Sequence, residues 1–362
     1  MTIYYTIFIL MALTLLFRSD GTDVRPTVLF WMALLALMAG CRYNVGTDWS
    51  SYVKYFQACP DLLHIFPNES KIEWGGYLLM VIAKTVGGGS GLWFFLMSAI
   101  SFAAIYRVSR ILFPQVLGSA LMVYFCFFFL QCHFNIVRHG TMISIVWLAL
   151  SYASEKKLKP YLMWMLVATS FHITALAFVP LYWVINRRYK AGLTLGILAV
   201  LFAVGTKFQQ EIFSLGMRLS IVEDKVKYYT EVYYQGHELS NSLSLGTVVY
   251  TFVYLWICIF PTRFERIRHF NIVRNALFFS LCILFLFRGA GVFSERFGNV
   301  LNISLIFIAP LFIAVYKGYM RQVCRLALLL YCALLLSRNL SSENVELGIP
   351  QFIPYQTIFN KT

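Results

Sequence analysis

The chain has 362 residues, 59% of them hydrophobic and 13% charged, with 30 Lys+Arg against 16 Asp+Glu and a formal net charge of +14. Soluble domains carry about 25% charged residues, so this composition excludes an ordinary soluble enzyme. The basic excess has a ready source in cytoplasmic loops and anionic head groups, and no basic run interleaved with aromatics marks a nucleic-acid module.

Apolar runs recur at about 3–17, 27–41, 92–106, 115–131, 139–153, 191–205, 244–260, 270–287, 300–316 and 321–336. Each is about 15–18 residues long, near the lower limit for spanning about 30 Å of hydrocarbon. The first, Ile3 to Phe17, lacks a basic region ahead of it and a small-residue cleavage site, so it reads as a retained helix. Residues 74–86 are shorter and carry Gly75, Gly76 and Lys84, and residues 160–186 are broken by His172 and Pro180. The eight cysteines form no C-x-x-C and read as packing residues, neither a disulfide framework nor a metal site.

Short basic loops at Arg107/Arg110, Lys156/Lys157/Lys159, Arg187/Arg188/Lys190, Arg263/Arg266/Arg268 and Lys317/Arg321/Arg325 are expected on the cytoplasmic side. Residues 42–73, 132–138, 206–243, 288–299 and the tail from Ser337 then fall outside. Parity requires that 74–86 not fully cross and that 160–186 enter and return, unless one basic loop breaks the charge rule. Non-helical backbone at membrane depth is tolerated where it is buried or lines a wet cavity, so two such pieces point to a site. The reading is an all-α polytopic membrane protein, one integral membrane domain over residues 1–362. It has about 10–12 transmembrane helices with re-entrant or interfacial segments, and Glu223 to Tyr229 reads as an interfacial amphipathic piece.

The candidate chemistry sits on the outer side. The first outer loop reads Arg42-Tyr43-Asn44-Val45-Gly46-Thr47-Asp48, with Tyr52 after it and Glu73 opening the next segment. Arg42 can grip a phosphate bidentately, Gly46 permits a tight turn, and Asp48 is either a base or an orienter of Arg42; Arg and Tyr are also ordinary interfacial anchors. Arg138, in Phe134-Asn135-Ile136-Val137-Arg138, lies outside against the charge rule, where it meets an anionic partner or snorkels to head groups. His172 sits where the chain must turn, as a general base or a hydrogen-bonded packing residue. Arg288, Glu295 and Arg296 form a last outer cluster, in which Glu295 can pair with one arginine. The tail at Ile353-Pro354-Tyr355 and Ile358-Phe359 reads as a lid or anchor. Four outward arginines suit a lipid pyrophosphate. The sequence holds no D-x-D, P-loop, H-E-x-x-H or G-x-S-x-G, and a transferase on this side needs a lipid-linked donor.

At these positions the chain resembles the EpsG/Wzy family of exopolysaccharide and O-antigen polymerases. The resemblance rests on the Arg42–Asp48 loop with Tyr52, Phe56, Glu73 and Gly76-Tyr77. It continues through Phe134-Asn135 with Arg138, Ala168 to His172 with Thr174-Ala175-Leu176, and Glu295-Arg296. His139 departs from the pattern, which has an amide such as Gln after the arginine. The resemblance implies a fold related to the lipid-dependent, GT-C-like glycosyltransferases. It implies polymerisation of undecaprenyl-pyrophosphate-linked repeat units at the outer face of the bacterial inner membrane, the growing chain moving onto the new unit. Its implied partners are lipid-linked glycans, membrane lipids and a chain-length regulator, with no nucleic acid. In that chemistry His172, then Asp48, is the candidate base; Arg138 and Arg296, then Arg42 and Arg288, hold the pyrophosphate; Glu295, Glu73, Tyr52 and Asn135 support them. No metal or cofactor is expected. A flippase for the same units, an O-antigen ligase and a membrane acyltransferase are the alternatives. The clustering of charge at one face and the lack of an internal repeat favour the enzyme over the flippase. The acyltransferase needs a cytosolic donor on the other side from His172, and the ligase differs from the polymerase only in its acceptor.

Overall fold

The computed structural model describes residues 1–16, 23–60, 72–211, 244–288, 291–343, 348 and 350–359. The Glu223–Tyr229 piece, and parts of the loops expected at 42–73, 206–243 and 288–299, lie outside those residues. The chain is an all-α polytopic membrane protein. Among the described residues Ser90–Leu112, Arg296–Val315 and Gly318–Leu340 are helical, long and apolar enough to cross a membrane. Shorter apolar helices include Thr2–Leu16, Arg25–Cys41, Ala191–Lys207 and Leu245–Ile259. Two compact units form, Met1–Val184 with Leu305–Thr362, and Ile185–Ser304.

The first unit is built from α1 (Thr2–Met11), α2 (Arg25–Cys41), α3 (Trp49–Ala58), α4 (Trp74–Thr85), α5 (Ser90–Leu112), α6 (Leu117–Tyr124), α7 (Val137–Ser154) and α8 (Leu158–Phe171), with the later helices Leu305–Val315 and Gly318–Leu340. Helix α7 is its centre: His139 to Ser151 are all buried, which an amphipathic surface helix never shows. It packs against α5 and α8, and α5 packs against α2 and α4. Polar residues join α5 to α7, where Ser101 Oγ donates to Thr141 Oγ1 at 3.1 Å; such bonds fix helix pairs where burial of apolar surface alone does not discriminate.

Helix α6 runs into two π-helical stretches, Phe125–Phe129 and Gln131–Asn135. A π stretch widens the turn and misdirects carbonyls, which need other donors when buried. Asn339 Nδ2 donates to the Cys126 carbonyl at 2.9 Å, and Arg42 Nη1 donates to the carbonyl of His133. His133 is itself a core residue, with Nε2 2.8 Å from Tyr124 Oη and Nδ1 2.9 Å from Ser98 Oγ.

Both segments that parity singles out are short. Helix α4 has 12 residues, about 18 Å at 1.5 Å per residue, too little to cross. Its C-terminal Lys84 donates to the carbonyls of Gln57 and Cys59, at the end of α3. Helix α8 ends at His172, whose backbone is extended (φ −161°, ψ 128°), and a 3-10 helix follows over Ile173–Phe178. That helix doubles back along α8: Tyr161 Oη donates to the carbonyls of Phe178 and Val179 at 2.8 and 3.1 Å.

In the second unit, Phe270–Leu286 packs against Ala191–Lys207, Leu245–Ile259 and Gly291–Asn302. Asn275 Nδ2 donates to the carbonyls of Ile185 and Arg187 at 2.8 and 2.7 Å, and Arg274 Nη2 to that of Tyr189 at 2.6 Å. These bonds fasten the chain that enters the unit.

Candidate functional site

The loop after α2 turns through Asn44 at φ 50° and Gly46 at φ 95°. Gly46 presses against the backbone of Phe134 and the side chain of Asn135, leaving no room for a Cβ. Asn135 locks the loop: its Oδ1 accepts from Thr47 N–H at 2.9 Å, and its Nδ2 donates to Gln351 Oε1 at 2.8 Å. Asp48 follows at the N-terminus of α3, half-buried, with the Thr47 hydroxyl 3.3 Å from its Oδ1.

The tail completes this loop as an anchor. Arg42 and Thr357 form an antiparallel bridge, Tyr43 N–H donates to Gln356 O and Gly46 N–H to Gln351 O, both at 2.9 Å. Ile358 N–H donates to Cys41 O at 2.9 Å, Tyr355 Oη to Met38 O at 2.7 Å, and Tyr4 Oη to Phe352 O at 2.8 Å. Phe352 is buried beneath the strap.

Arg42 is turned into the protein interior. It is 1% exposed, and its guanidinium carbon lies 4.0 Å from the Phe94 ring centroid and 4.8 Å from that of Phe134. The rings and the His133 carbonyl hold the cation, an arrangement suited to anchoring the π-helical turn.

Arg138 lies one residue into α7 and forms an ion pair with Glu73, which precedes α4; their side chains are 14% and 26% exposed. Gly76 lets α4 approach, since a Cβ there would stand 3.4 Å from Arg138 Cδ. Tyr52 of α3 is buried against Trp93 and Phe94, and Arg138 lies 6.0 Å over its ring. Burial pushes the Tyr52 hydroxyl above the ordinary phenol range while Arg138 pulls it back, so it stays a protonated donor.

Beside this pair stands His172. Its Nδ1 is 2.9 Å from Thr174 Oγ1 and 3.4 Å from Thr174 N. The ring meets that of His139 edge-to-face, with centroids 5.0 Å apart and planes at 79°. His139 is 5% exposed. Helix α4 touches the same turn, because a Cβ on Gly75 would lie 2.6 Å from Ser170 Oγ. The structure therefore brings Glu73, Tyr52, Arg138, His139 and His172 together through α3, α4, α7 and α8. Asp48 and Asn135 belong to the adjoining loop.

The last expected cluster lies in the second unit. Arg288 Nη1 donates to Thr206 Oγ1 at 2.6 Å and its guanidinium sits 5.1 Å over Phe202. Arg296 is half-buried on Gly291–Asn302, the helix that also carries Glu295. Sequence reasoning missed Gln351, whose partner is 216 residues away. It met His139 only as a departure from a pattern. No group of three or more His, Cys, Asp or Glu fit to hold a metal occurs among the described residues.

Fold and cluster together define a polytopic helical membrane protein with a charged cluster gathered by α3, α4, α7 and α8. A family model, the EpsG family, matches residues 27–357, and the chain belongs to the EpsG family. Membership gives it a role of the exopolysaccharide-polymerase type, glycosyltransferase-like, in polysaccharide biosynthesis. No curated protein and no solved structure matches the chain.

Proposed function

We propose that the protein polymerises undecaprenyl-pyrophosphate-linked oligosaccharide repeat units at the extracytoplasmic face of the bacterial inner membrane. The observation that carries this reading is the Arg138–Glu73 pair at the start of α7, with His172 packed against the neighbouring His139. The reaction needs two things that such a cluster supplies. A hydroxyl of the incoming unit forms a bond to the anomeric carbon of the growing chain, and loses its proton to a base. The bond from that carbon to the pyrophosphate breaks, and the departing negative charge needs fixed donors.

Arg138 is the donor in this reading, and Glu73 holds its fork in place before substrate arrives. Tyr52 adds a protonated hydroxyl beside it. His172 is the base. Its Nδ1 accepts from the Thr174 N–H at 3.4 Å and lies 2.9 Å from Thr174 Oγ1, so Thr174 orients the ring. Asp48 is the second candidate base. Arg42, buried in the protein, anchors the loop. Arg288 and Arg296 are assigned to the pyrophosphate from the charge pattern alone, with Glu295 supporting, and R296A tests that assignment separately. Chain length is set by a partner regulator.

Deleting the gene separates polymerisation from flipping. Single repeat units attached at the cell surface are the expected outcome. Their complete absence from the surface favours a flippase and overturns the proposal.

A further inference from the structure

The surface of the first unit carries a second built feature, between helices α2 and α5. Helices α2 and α5 touch at one end and part toward the other. At the closed end a Cβ on Gly91 would lie 2.6 Å from the Gly40 carbonyl, and one on Gly40 2.8 Å from Phe95 Cβ. At the open end stand Leu29 of α2 and Arg107 and Arg110 of α5. The eleven residue steps from Gly40 to Leu29 measure about 16 Å along the helix. The groove between the helices has a volume of about 600 Å³.

Its lining is asymmetric. Ala33 and Ala36 on α2, with Ala99 and Ala103 on α5, leave an apolar space that Met32, Phe95 and Phe102 also line. Ala99, Ala103, Arg107 and Arg110 follow one another at spacings of three or four, so the apolar stripe leads directly to the two arginines. Arg107, Arg110, Ala33 and Ala103 are exposed, and the Arg110 guanidinium lies 5.8 Å over the Tyr106 ring. An apolar channel with a cationic mouth is the complement of an amphiphile with one anionic head and a hydrocarbon chain.

We propose that this groove binds an anionic phospholipid, one acyl chain along the alanines and the phosphate between Arg107 and Arg110. The lipid comes from the leaflet that the basic loops face. The polyprenyl tail of a lipid-linked glycan does not suit the groove, because the Gly40–Gly91 contact closes it at the end next to the Arg42 loop.

The test is native mass spectrometry of the full chain in detergent, titrated with phosphatidylglycerol or phosphatidylcholine. Phosphatidylglycerol should bind the more tightly. Two arginines near a lipid phosphate, each worth about fivefold, predict that R107A/R110A weakens phosphatidylglycerol binding about twenty-five-fold and phosphatidylcholine binding, whose choline offsets its phosphate charge, by much less. R107K/R110K, which keeps the charge, should retain most of the preference. A103L, which fills the channel, should weaken both lipids. Equal binding of the two lipids, an R107A/R110A variant that binds phosphatidylglycerol normally, or undecaprenyl phosphate emptying the groove at equal concentration each overturns the proposal.

Discussion

Replacing Arg42 separates an anchoring arginine from a ligand-binding one. Its Nη1 donates to the His133 carbonyl, and its guanidinium lies between Phe94 and Phe134. A hydrogen bond from a charged group contributes about 1.5–3 kcal/mol, and a desolvated cation–π contact about 2 kcal/mol. Relief of the cost of burying the cation offsets part of this, leaving about 2–4 kcal/mol lost in Arg42→Ala. For a chain of this size that lowers Tm by about 3–5 °C, measurable by tryptophan fluorescence in detergent. Arg138→Ala should behave oppositely. Its guanidinium pairs with Glu73 at a partly exposed site, so polymer formation falls far more than Tm. An Arg42→Ala protein with unchanged Tm but no polymer would refute this reasoning and return Arg42 to the pyrophosphate.

Three further outcomes follow from the same geometry. Gly46→Ala puts a Cβ against the Phe134 carbonyl at φ 95°. It should cost at least about 2 kcal/mol, seen as reduced stability and lost polymer in cells. Gln351→Ala removes the amide that Asn135 Nδ2 reaches; it should lower polymer yield while the purified protein keeps its helical circular dichroism, and Gln351→Glu, which keeps the acceptor, should restore much of the yield. His139→Gln keeps a hydrogen-bonding side chain and removes a titratable ring 5.0 Å from His172. Polymer yield should fall because the ring that packs edge-to-face on His172 is lost, whereas an unchanged yield shows that this ring does not position His172.

The fold was legible where hydrophobic runs and charge counting suffice. Parity of the basic loops singles out 74–86 and 160–186, and the structure forms a 12-residue α4 and a helix that breaks at His172 and doubles back. The π-helical stretches at 125–129 and 131–135 were not legible, because one extra residue per turn leaves an all-apolar run looking the same. Arg42 illustrates a second limit. An arginine after a span reads as a phosphate ligand or an interfacial anchor, and only the packing of Phe94 and Phe134 reveals that it points inward. The tail reads from sequence as a lid or an anchor; its pairing with residues 41–46 joins opposite ends of the chain, and no local pattern encodes such a contact. His139 stood out only because it replaces an amide; its place beside His172 depends on α7 and α8 lying together.

The central claim is tested most directly by incubating the purified protein with purified undecaprenyl-pyrophosphate-linked repeat units and no nucleotide. The account predicts a ladder of lengthened glycans from the native protein, and none from Arg138→Ala or His172→Ala variants that keep their Tm. A ladder of undiminished length from both variants, or no ladder from native protein that is shown to be folded, would contradict it.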